Sequence, residues 1–200
     1  MTVTVIGASK GGQGATTIAA VLAVTSAQHT PTVLLDATGD AASVLGLATR
    51  PPADNLTDAL DHSIDVVPQL RVARLPADRI DAAALDTLTA LSAAGHRVIV
   101  DTGTDHTATH RLDPLHPSRY LVVRPCYLAV RRAVAVPYTP DHVILVREPL
   151  RALTAQDVEH ALALPVTTVP YDPVIARAID AGLLTCTAYR LLGRPLRHLC

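Results

Sequence analysis

The feature that most constrains the fold is a glycine-rich segment between an apolar run and an alanine-rich run near the N-terminus. It reads Gly7-Ala8-Ser9-Lys10-Gly11-Gly12-Gln13-Gly14-Ala15-Thr16-Thr17. The residues before it, Thr2–Ile6, predict a buried strand, and Ala15–Ala27 predict a helix. Glycines let the backbone turn consecutive N–H groups toward one anion, and the helix dipole adds to the attraction. The segment therefore predicts a phosphate-binding loop in an α/β fold, although ordinary strand-to-helix turns are also glycine-rich.

Apolar runs alternate with helical patterns along the rest of the chain. Strands are predicted at Thr32–Asp36, Leu70–Leu75, Arg97–Asp101, Tyr120–Arg124, His142–Val146 and Val166–Val169. Helices are predicted at Asp40–Leu47, after a cap at Asn55, from a cap at Asp81 to Ala94 before Gly95, and at Ala155–Leu162, Pro173–Ala181 and Thr187–Leu192. Continuous apolar strands between helices indicate a mostly parallel sheet covered on both faces. We expect one domain over residues 1–200, a three-layer α/β/α arrangement with about seven strands.

Composition limits the environment of the protein. The apolar content of 49% is enough for a sizeable core, and a formal net charge of −1 gives no overall reason to expect nucleic-acid or membrane binding. Cys126, Cys186 and Cys200 are odd in number and show no paired spacing, which predicts reduced thiols in a cytoplasmic protein. The first strand starts at the chain's beginning, so we expect neither a signal peptide nor an appended DNA-binding domain before it.

One lysine stands among the basic residues, and it lies in the glycine-rich segment. Lys10 is the single lysine, and the other 16 of the 17 basic residues are arginines. Its position favours a contact with phosphate, while the alternative is a solvated lysine on a surface turn. A hydroxyl at Thr16 stands where a phosphate-binding loop would hold Mg²⁺.

The segment resembles the deviant Walker A motif, KGGxGKT[ST], of the ParA/MinD ATPases, which have a P-loop NTPase-like fold. This chain reads Lys10-Gly11-Gly12-Gln13-Gly14-Ala15-Thr16-Thr17. The signature lysine is kept as Lys10, and Ala15 stands where the ordinary P-loop lysine is expected. The resemblance implies that residues 11–17 cradle the phosphates of ATP or ADP. It also implies that Lys10 reaches across a homodimer to the partner's nucleotide.

Further segments resemble the family's motifs in the same order. Residues 34–46, LLDATGDAASVLG, resemble the DxDPQGNAT-S-x-LG segment, so Asp36 falls on the second aspartate, which positions the attacking water. Residues 98–102 resemble the Walker B strand, which implies that Asp101 lies near Mg²⁺. Residues 166–182 resemble the late strand and base-contacting loop, which implies that Pro170 and Asp172 contact the nucleotide. For both strand-end aspartates the alternative is a cap on the next helix.

The resemblance implies a switch that dimerises around ATP and Mg²⁺ and acts in plasmid or chromosome partitioning or positioning. A ParB-like protein or another activator would be its partner. The alanine at position 15 leaves three interpretations open: a slow ATPase that binds ATP through the backbone and Lys10, a catalytically inactive pseudo-ATPase that serves as a scaffold, and an engineered replacement. Loss of one side chain that stabilises the charge of the transition state commonly lowers the reaction rate by a factor of about 10²–10³. Nucleotide binding depends more on the backbone cradle, which remains.

Two groups of exposed residues have weaker interpretations. Arginines that could contact DNA phosphates are Arg131, Arg132, Arg190, Arg194 and Arg197. The favoured interpretation of the C-terminal ones is a solvated face whose leucines pack on the domain, and Gly193 and Pro195 argue against a membrane-binding helix. His106 and His110 have the spacing of one helical face, but the stretch looks like an exposed loop and offers no third ligand, so no metal site is predicted there.

Overall fold

The computed structural model describes residues 3–200, and its centre is one eight-stranded sheet. The strands are β1 Val3–Ala8, β2 Thr32–Asp36, β3 Ile64–Val67, β4 Leu70–Arg74, β5 Arg97–Gly103, β6 Ser118–Val123, β7 His142–Arg147 and β8 Val166–Pro170. Their order across the sheet is β3-β4-β2-β5-β1-β6-β7-β8. Every neighbouring pair is parallel except β3 and β4, which are antiparallel. The predicted strand start at Thr2 lies outside the described residues.

Helices cover both faces of the sheet. They are α1 Ala15–Ser26, α2 Ala41–Val44, α3 Leu56–Asp61, α4 Ala82–Ala93, α5 His106–Arg111, α6 Tyr127–Val134, α7 Ala155–Leu162, α8 Pro173–Asp180 and α9 Leu184–Ala188. After α9 the chain stays helical through a π turn, a short α turn and a 3₁₀ turn, Tyr189–Gly193, Arg194–Leu196 and Arg197–Leu199. Two further 3₁₀ turns are Ala77–Arg79 and Asp113–Leu115.

The two-residue period of each strand distributes its side chains between two helical layers. In β5, Val98 and Val100 join the core beneath α3 and α4, whereas Ile99 between them joins the core around α1. In β6, Leu121 and Val123 pack toward α6 and α7, on the face opposite to α1. The structure therefore confirms the predicted three-layer, mostly parallel fold, with eight strands rather than seven.

Local signals placed several helix ends correctly. The side chain of Asn55 accepts a hydrogen bond from the Asp58 amide at the start of α3, and Asp81 accepts one from the Ala84 amide at the start of α4. Gly95 follows α4 with a φ of 84°, the left-handed conformation that favours glycine at a helix end. These caps confirm the predicted boundaries.

The structure corrects the sequence prediction in several places. The edge strand β3 and the helix α6 were not predicted, and the stretch around His106, expected as an exposed loop, forms α5 with Asp105 as its N-cap. The C-terminal helix does not break at Gly193 or Pro195, because Gly193 lies in the π turn and Pro195 lies near the start of the short α turn, where proline is tolerated.

The C-terminal segment packs its leucines against the layer that contains α1. Leu192, Leu196 and Leu199 are buried, while Arg190, Arg194 and Arg197 are exposed. This confirms the predicted solvated arginine face over packed leucines. Within residues 3–200, no helix combines the length and the apolar character that a bilayer-crossing segment requires.

Two glycines in contact join the loop after α2 to the end of α8, and they allow a direct test of this packing. A Cβ on Gly46 would lie 2.5 Å from the Cα of Gly182, and Gly46 has a φ of 75°. We expect Gly46→Ala to lower the free energy of unfolding by about 2 kcal/mol, because it adds a backbone clash to left-handed strain. Urea denaturation measures the change.

The matched control is Gly95→Ala. Gly95 also has a left-handed φ, 84°, but a Cβ there meets nothing within 4 Å. Gly95→Ala therefore tests the left-handed strain without the clash, and we expect it to lower the free energy of unfolding by about 1 kcal/mol. Equal losses at the two positions would show that the contact between Gly46 and Gly182 is not tight.

Candidate phosphate and nucleotide site

The site lies at one edge of the sheet, where the carboxyl ends of the parallel strands meet. Asp36 ends β2 and pairs in register with Asp101 of the neighbouring β5. Asp101 in turn pairs with Ile6 of β1, immediately before the glycine-rich loop. The sheet order therefore brings three separate segments of the chain together. Crevices at this edge are where open α/β sheets bind ligands.

The loop between β1 and α1 forms one wall of an open cleft of about 360 Å³. Gly12 and Gly14 have φ values of 75° and 94°, and a Cβ on either would point into open space. Gly14 is the residue before α1 and supplies no side-chain cap, so the first amides of this 12-residue helix are left for an anion. The cleft is lined by Ala8, Lys10, Gly11, Gly12, Gln13, Gly14, Ala15, Thr16, Thr17, Thr38, Asp40, Gly103 and Thr104.

Two side chains of the loop hold it to the rest of the domain. The buried Gln13 accepts a hydrogen bond through its Oε1 from the backbone amide of Arg124, at 2.9 Å. Ser9 donates through its hydroxyl to the backbone carbonyl of Ala129 in α6, at 3.1 Å. These two bonds fix the loop to the end of β6 and to α6 before any ligand arrives. A preformed cradle lowers the cost of ordering on binding.

The cleft carries little positive charge, because alanine stands at position 15, where a phosphate-binding loop usually has a lysine. Among the residues that line it in the described part of the chain, Lys10 is the only cation. Its Nζ lies 3.5 Å from the carbonyl oxygen of Gly11 and the side chain is half-buried, so the ammonium group is held only weakly. Ala15 also lines the cleft, but the residue is buried and belongs to the core around α1. A phosphate bound here would depend on backbone amides, Lys10 and a metal ion for its counter-charge.

Asp36 organises the loop that follows β2. Its Oδ1 accepts hydrogen bonds from the amide and the hydroxyl of Thr38 and, at 2.7 Å, from the Gly39 amide. Its Oδ2 accepts one bond, from the Ala41 amide at 3.0 Å. The carboxylate is therefore buried and largely satisfied by its own loop, and Oδ2 retains the capacity for one more donor.

Asp101 is fully buried beside it. Burial raises the pKa of Asp101 to about 6, an effect that hydrogen bonds from Thr16, the Gly103 amide and Thr38 reduce, and the neighbouring charge of Asp36 raises it further. The Thr38 hydroxyl lies 3.2 Å from Oδ2 of Asp101 and 3.0 Å from Oδ1 of Asp36, so it bridges the two carboxylates. Neither carboxyl group lines the phosphate cleft itself, and Asp36 lines a separate cavity together with Arg50 and Arg74.

The residues fit Mg²⁺ in the way that phosphate-bound Mg²⁺ is usually held, through one or two protein ligands together with water and phosphate oxygens. Thr16 supplies a hydroxyl and Asp101 a carboxylate, and the two are hydrogen-bonded to each other. Within residues 3–200, no group of three or more His, Cys, Asp or Glu side chains could hold a metal alone.

A second, largely apolar pocket of about 230 Å³ adjoins the cleft, and we call it the apolar pocket. Both cavities are lined by Gln13, Gly14 and Thr17. Pro170 and Asp172, predicted to contact a nucleotide base, line the apolar pocket and not the phosphate cleft. Asp172 also caps α8 by accepting a hydrogen bond from the Val174 amide at 2.8 Å.

Several residues at the site had no role in the sequence prediction. Thr38 bridges the two aspartates, and Arg124, at the end of β6, lines the apolar pocket. Arg124 was the last residue of a predicted strand. Since ligands bind at the carboxyl ends of parallel strands, this position could have indicated a role at the site. The rings of His106 and His110 lie near the ring of Tyr138, with centroid distances of 5.6 and 6.3 Å.

The predicted DNA-contacting arginines do not form one patch. Arg131 and Arg132 are exposed on α6, whose buried residues face the core shared with α7. The arginines of the C-terminal segment lie over the opposite face of the sheet, where Leu192 and Leu196 join the core around α1. The five arginines therefore form two groups on opposite faces of the sheet.

Comparison with known proteins gives the fold. No protein-family model matches the chain, and no curated protein matches it significantly. Among solved structures, the ParA family ATPase from Chlorobium tepidum TLS is similar with a TM-score of 0.72 and 22% identity, over 96% of this chain and 91% of that one. The cell division ATPase MinD from Pyrococcus furiosus has a TM-score of 0.76 and 17% identity, over 100% of both chains.

A third similar structure contains a ligand. The septum site-determining protein MinD from Pyrococcus horikoshii OT3, complexed with Mg-ADP, has a TM-score of 0.74 and 16% identity, over 93% of this chain and 88% of that one. At these identities the similarity establishes architecture, and it agrees with the eight-stranded sheet and the loop at its edge. The chain therefore has the P-loop NTPase-like fold of the ParA/MinD ATPases.

Proposed function

We propose that this protein is a nucleotide-dependent switch of the ParA/MinD type that binds ATP or ADP with Mg²⁺. The observation that carries the proposal is the open cleft at the uncapped start of α1, where the half-buried Thr16 lines the cleft and is hydrogen-bonded to the buried Asp101. Residues 11–17 would hold the phosphates through backbone amides and hydroxyl groups, and Pro170 and Asp172 would contact the base. Mg²⁺ would supply the positive charge that the cleft lacks. The Mg-ADP in the similar MinD structure supports this choice of ligand.

Hydrolysis would be slow in this protein. Phosphoryl transfer depends mainly on positioning and on stabilisation of negative charge. Ala15 contributes no charge, so the rate would fall by about 10²–10³ relative to a site with that lysine. Asp36 would orient the attacking water through the remaining capacity of its Oδ2, and its hydrogen bonds to Thr38, Gly39 and Ala41 would hold it in place.

The cellular role in the proposal is plasmid or chromosome partitioning or positioning in the cytoplasm, with a ParB-like or other activator as partner. Exposed arginines on α6 and on the C-terminal segment stay predicted contacts for DNA phosphates, as two separate groups. The second candidate function is a catalytically inactive scaffold, which Ala15 favours because the cleft lining has Lys10 as its single cation among the described residues.

Dimerisation through Lys10 gives the test of the switch. Lys10 is half-buried, and its ammonium group makes only a long hydrogen bond of 3.5 Å to the Gly11 carbonyl, so the side chain can turn away from the cleft. We expect the wild-type protein to be monomeric with Mg²⁺–ADP and dimeric with Mg²⁺ and a non-hydrolysable ATP analogue in analytical ultracentrifugation. Lys10→Ala should abolish the dimer, because no other lining cation would meet the partner's phosphates.

Lys10→Arg is the matched control because it keeps the charge, and it should retain part of the dimer. The proposal of a switch is refuted if the association state is the same with both nucleotides. It is also refuted if Lys10→Ala dimerises as strongly as the wild type. A dimer that forms without nucleotide would favour the scaffold.

A further inference from the structure

The phosphate cleft has a single carboxylate among the described residues that line it, and that carboxylate belongs to Asp40. The two strand-end aspartates, Asp36 and Asp101, are 1% and 0% exposed and do not line the cleft. The cation among the described lining residues is Lys10. A ligand that enters the cleft would therefore meet Asp40 directly and the other two aspartates only through the cleft wall.

The carboxylate of Asp40 has no structural partner. Asp40 stands at the N-cap position of α2, but its side chain accepts no capping hydrogen bond. The residue is exposed, and within residues 3–200 its carboxylate forms no ion pair. The helix α2 has only four residues, so its dipole gives little reason for an acidic residue at this position. The side chain is therefore available to a ligand.

The backbone around Asp40, by contrast, is held firmly. The amide of Ala41, the next residue, donates to Oδ2 of Asp36 at 3.0 Å. Gly39, the preceding residue, has a φ of 93°, and a Cβ there would lie 2.8 Å from Nη2 of Arg74. The guanidinium group of Arg74 therefore packs under the turn that brings Asp40 to the cleft. A carboxylate on a fixed backbone loses little freedom when it binds a ligand.

Thr38 connects Asp40 to the groups that fit Mg²⁺. Its hydroxyl accepts from the Asp40 amide at 3.4 Å and lies 3.2 Å from Oδ2 of Asp101. Asp101 is hydrogen-bonded in turn to Thr16, which lines the same cleft as Asp40. Carboxylate oxygens are preferred ligands of Mg²⁺, together with water and phosphate oxygens. The cleft therefore presents an unpaired carboxylate as well as the Thr16 hydroxyl.

We propose that Asp40 binds the divalent cation of a metal–nucleotide complex and that its charge excludes nucleotides that arrive without the metal. A carboxylate in a cleft whose lining cation is Lys10 repels free phosphate groups. A divalent ion reverses this effect, because it attracts the carboxylate and the phosphates at once. The inference rests on the proposed function, since it assumes that the cleft holds nucleotide phosphates.

The variant that tests the inference is Asp40→Asn, because asparagine keeps the size of the side chain and is as good an N-cap as aspartate. The matched control is Asp81→Asn at the N-cap of α4, an exposed residue that does not line the cleft. Each variant removes one negative charge from a helix cap. Calorimetric titration with ADP, in Mg²⁺ and in EDTA, would compare both variants with the wild type.

We expect Asp40→Asn to change the two affinities in opposite directions. In Mg²⁺ it should weaken ADP binding by roughly tenfold, because the metal loses a carboxylate ligand. In EDTA it should tighten ADP binding by roughly tenfold, because the phosphates no longer face a negative charge. Asp81→Asn should bind ADP as the wild type does under both conditions.

A change in the same direction under both conditions would overturn the inference. Tighter binding in both would make Asp40 a simple repulsive charge or a counter-ion of Lys10, and weaker binding in both would make it a structural residue. Unchanged affinities, in a wild-type protein that binds ADP with Mg²⁺, would overturn the inference alone. If the wild-type protein binds ADP under neither condition, the proposed function fails and the inference fails with it.

Discussion

Replacing Asp101 by asparagine is expected to raise the free energy of unfolding at pH 7 by about 3 kcal/mol when divalent metal is absent. Burial raises the pKa of Asp101 from 3.8 to about 6, and each pKa unit corresponds to about 1.4 kcal/mol. The folded protein therefore holds this proton more tightly than the unfolded chain does. As the pH rises from about 4 to 6, wild-type stability falls on account of this group. Asparagine carries no charge, and the hydroxyls of Thr16 and Thr38 can accept from its amide.

Urea denaturation in EDTA at pH 7 and at pH 4 measures the effect. The increase in the free energy of unfolding should be present at pH 7. It should be nearly absent at pH 4, because wild-type Asp101 is then mostly protonated and as uncharged as the asparagine. The control is Asp105→Asn at the cap of α5, because asparagine caps a helix as well as aspartate does, and no change is expected. A loss of stability at both pH values would mean that Asp101 is held as a structural hydrogen-bond acceptor.

The same substitution should remove the stimulation of nucleotide binding by Mg²⁺, because it removes the carboxylate that would hold the ion with Thr16. A gain in stability combined with a loss of ligand binding is the pattern expected of a functional residue. If Mg²⁺ stimulates binding equally in the variant, Asp101 is not a metal ligand.

Introducing a lysine at position 15 is expected to tighten the binding of Mg²⁺–ATP by roughly 10- to 100-fold. Ala15 lies beside the cleft at the start of α1 and is buried against the core, so the lysine would have to turn its ammonium group out of the core toward the bound phosphates. A hydrogen bond to a charged group contributes about 1.5–3 kcal/mol, and about 1.4 kcal/mol corresponds to a factor of ten in affinity. Isothermal titration calorimetry compares the two proteins.

Ala15→Met is the matched control, because it adds a side chain of similar length without charge. It should leave the affinity unchanged or reduce it. Similar gains from lysine and methionine would show that filling the cleft, rather than charge, limits binding. If Ala15→Lys binds Mg²⁺–ATP and the wild-type protein does not, the wild-type protein is the scaffold and not the switch.

Sequence reasoning found the strands and loop of this fold where local signals are strong. The β1 strand, the glycines at 12 and 14 and the caps at Asn55 and Asp81 are all local features, and the structure confirms them. The edge strand β3 was missed because it is four residues long and turns into β4 at Gln69, which adopts a φ of 68° without being a glycine. Such a turn has no sequence signal of the usual kind.

The helix α6 was missed for a different reason. It buries only the two alanines, Ala129 and Ala133, and its N-terminal residue Cys126 makes no capping hydrogen bond. A short helix with so small an apolar face and no cap is stabilised by its tertiary contacts rather than by its own sequence. The exposed Arg131 and Arg132 on its outer side further obscured the pattern.

At the candidate site, the sequence predicted which residues take part but could not predict the environment in which the structure places them. Asp36 and Asp101 are 65 positions apart in the chain, and their pairing and the raised pKa of Asp101 arise only when β2 and β5 lie side by side. Arg124, Glu148 and Tyr171 come from the ends of three strands, so their ion pair and ring contact could not be predicted from spacing. Tertiary structure determines burial, and burial determines these properties.

The central claim is that main-chain amides of residues 11–17, with Mg²⁺ at Thr16 and Asp101, bind nucleotide phosphates without a P-loop lysine. Calorimetric titration of the unaltered protein with ADP, in Mg²⁺ and in EDTA, tests it most directly. The structure predicts saturable one-to-one binding in Mg²⁺ that is strongly weakened in EDTA. No binding heat at millimolar ADP with Mg²⁺, from protein shown to be folded by circular dichroism, would contradict it.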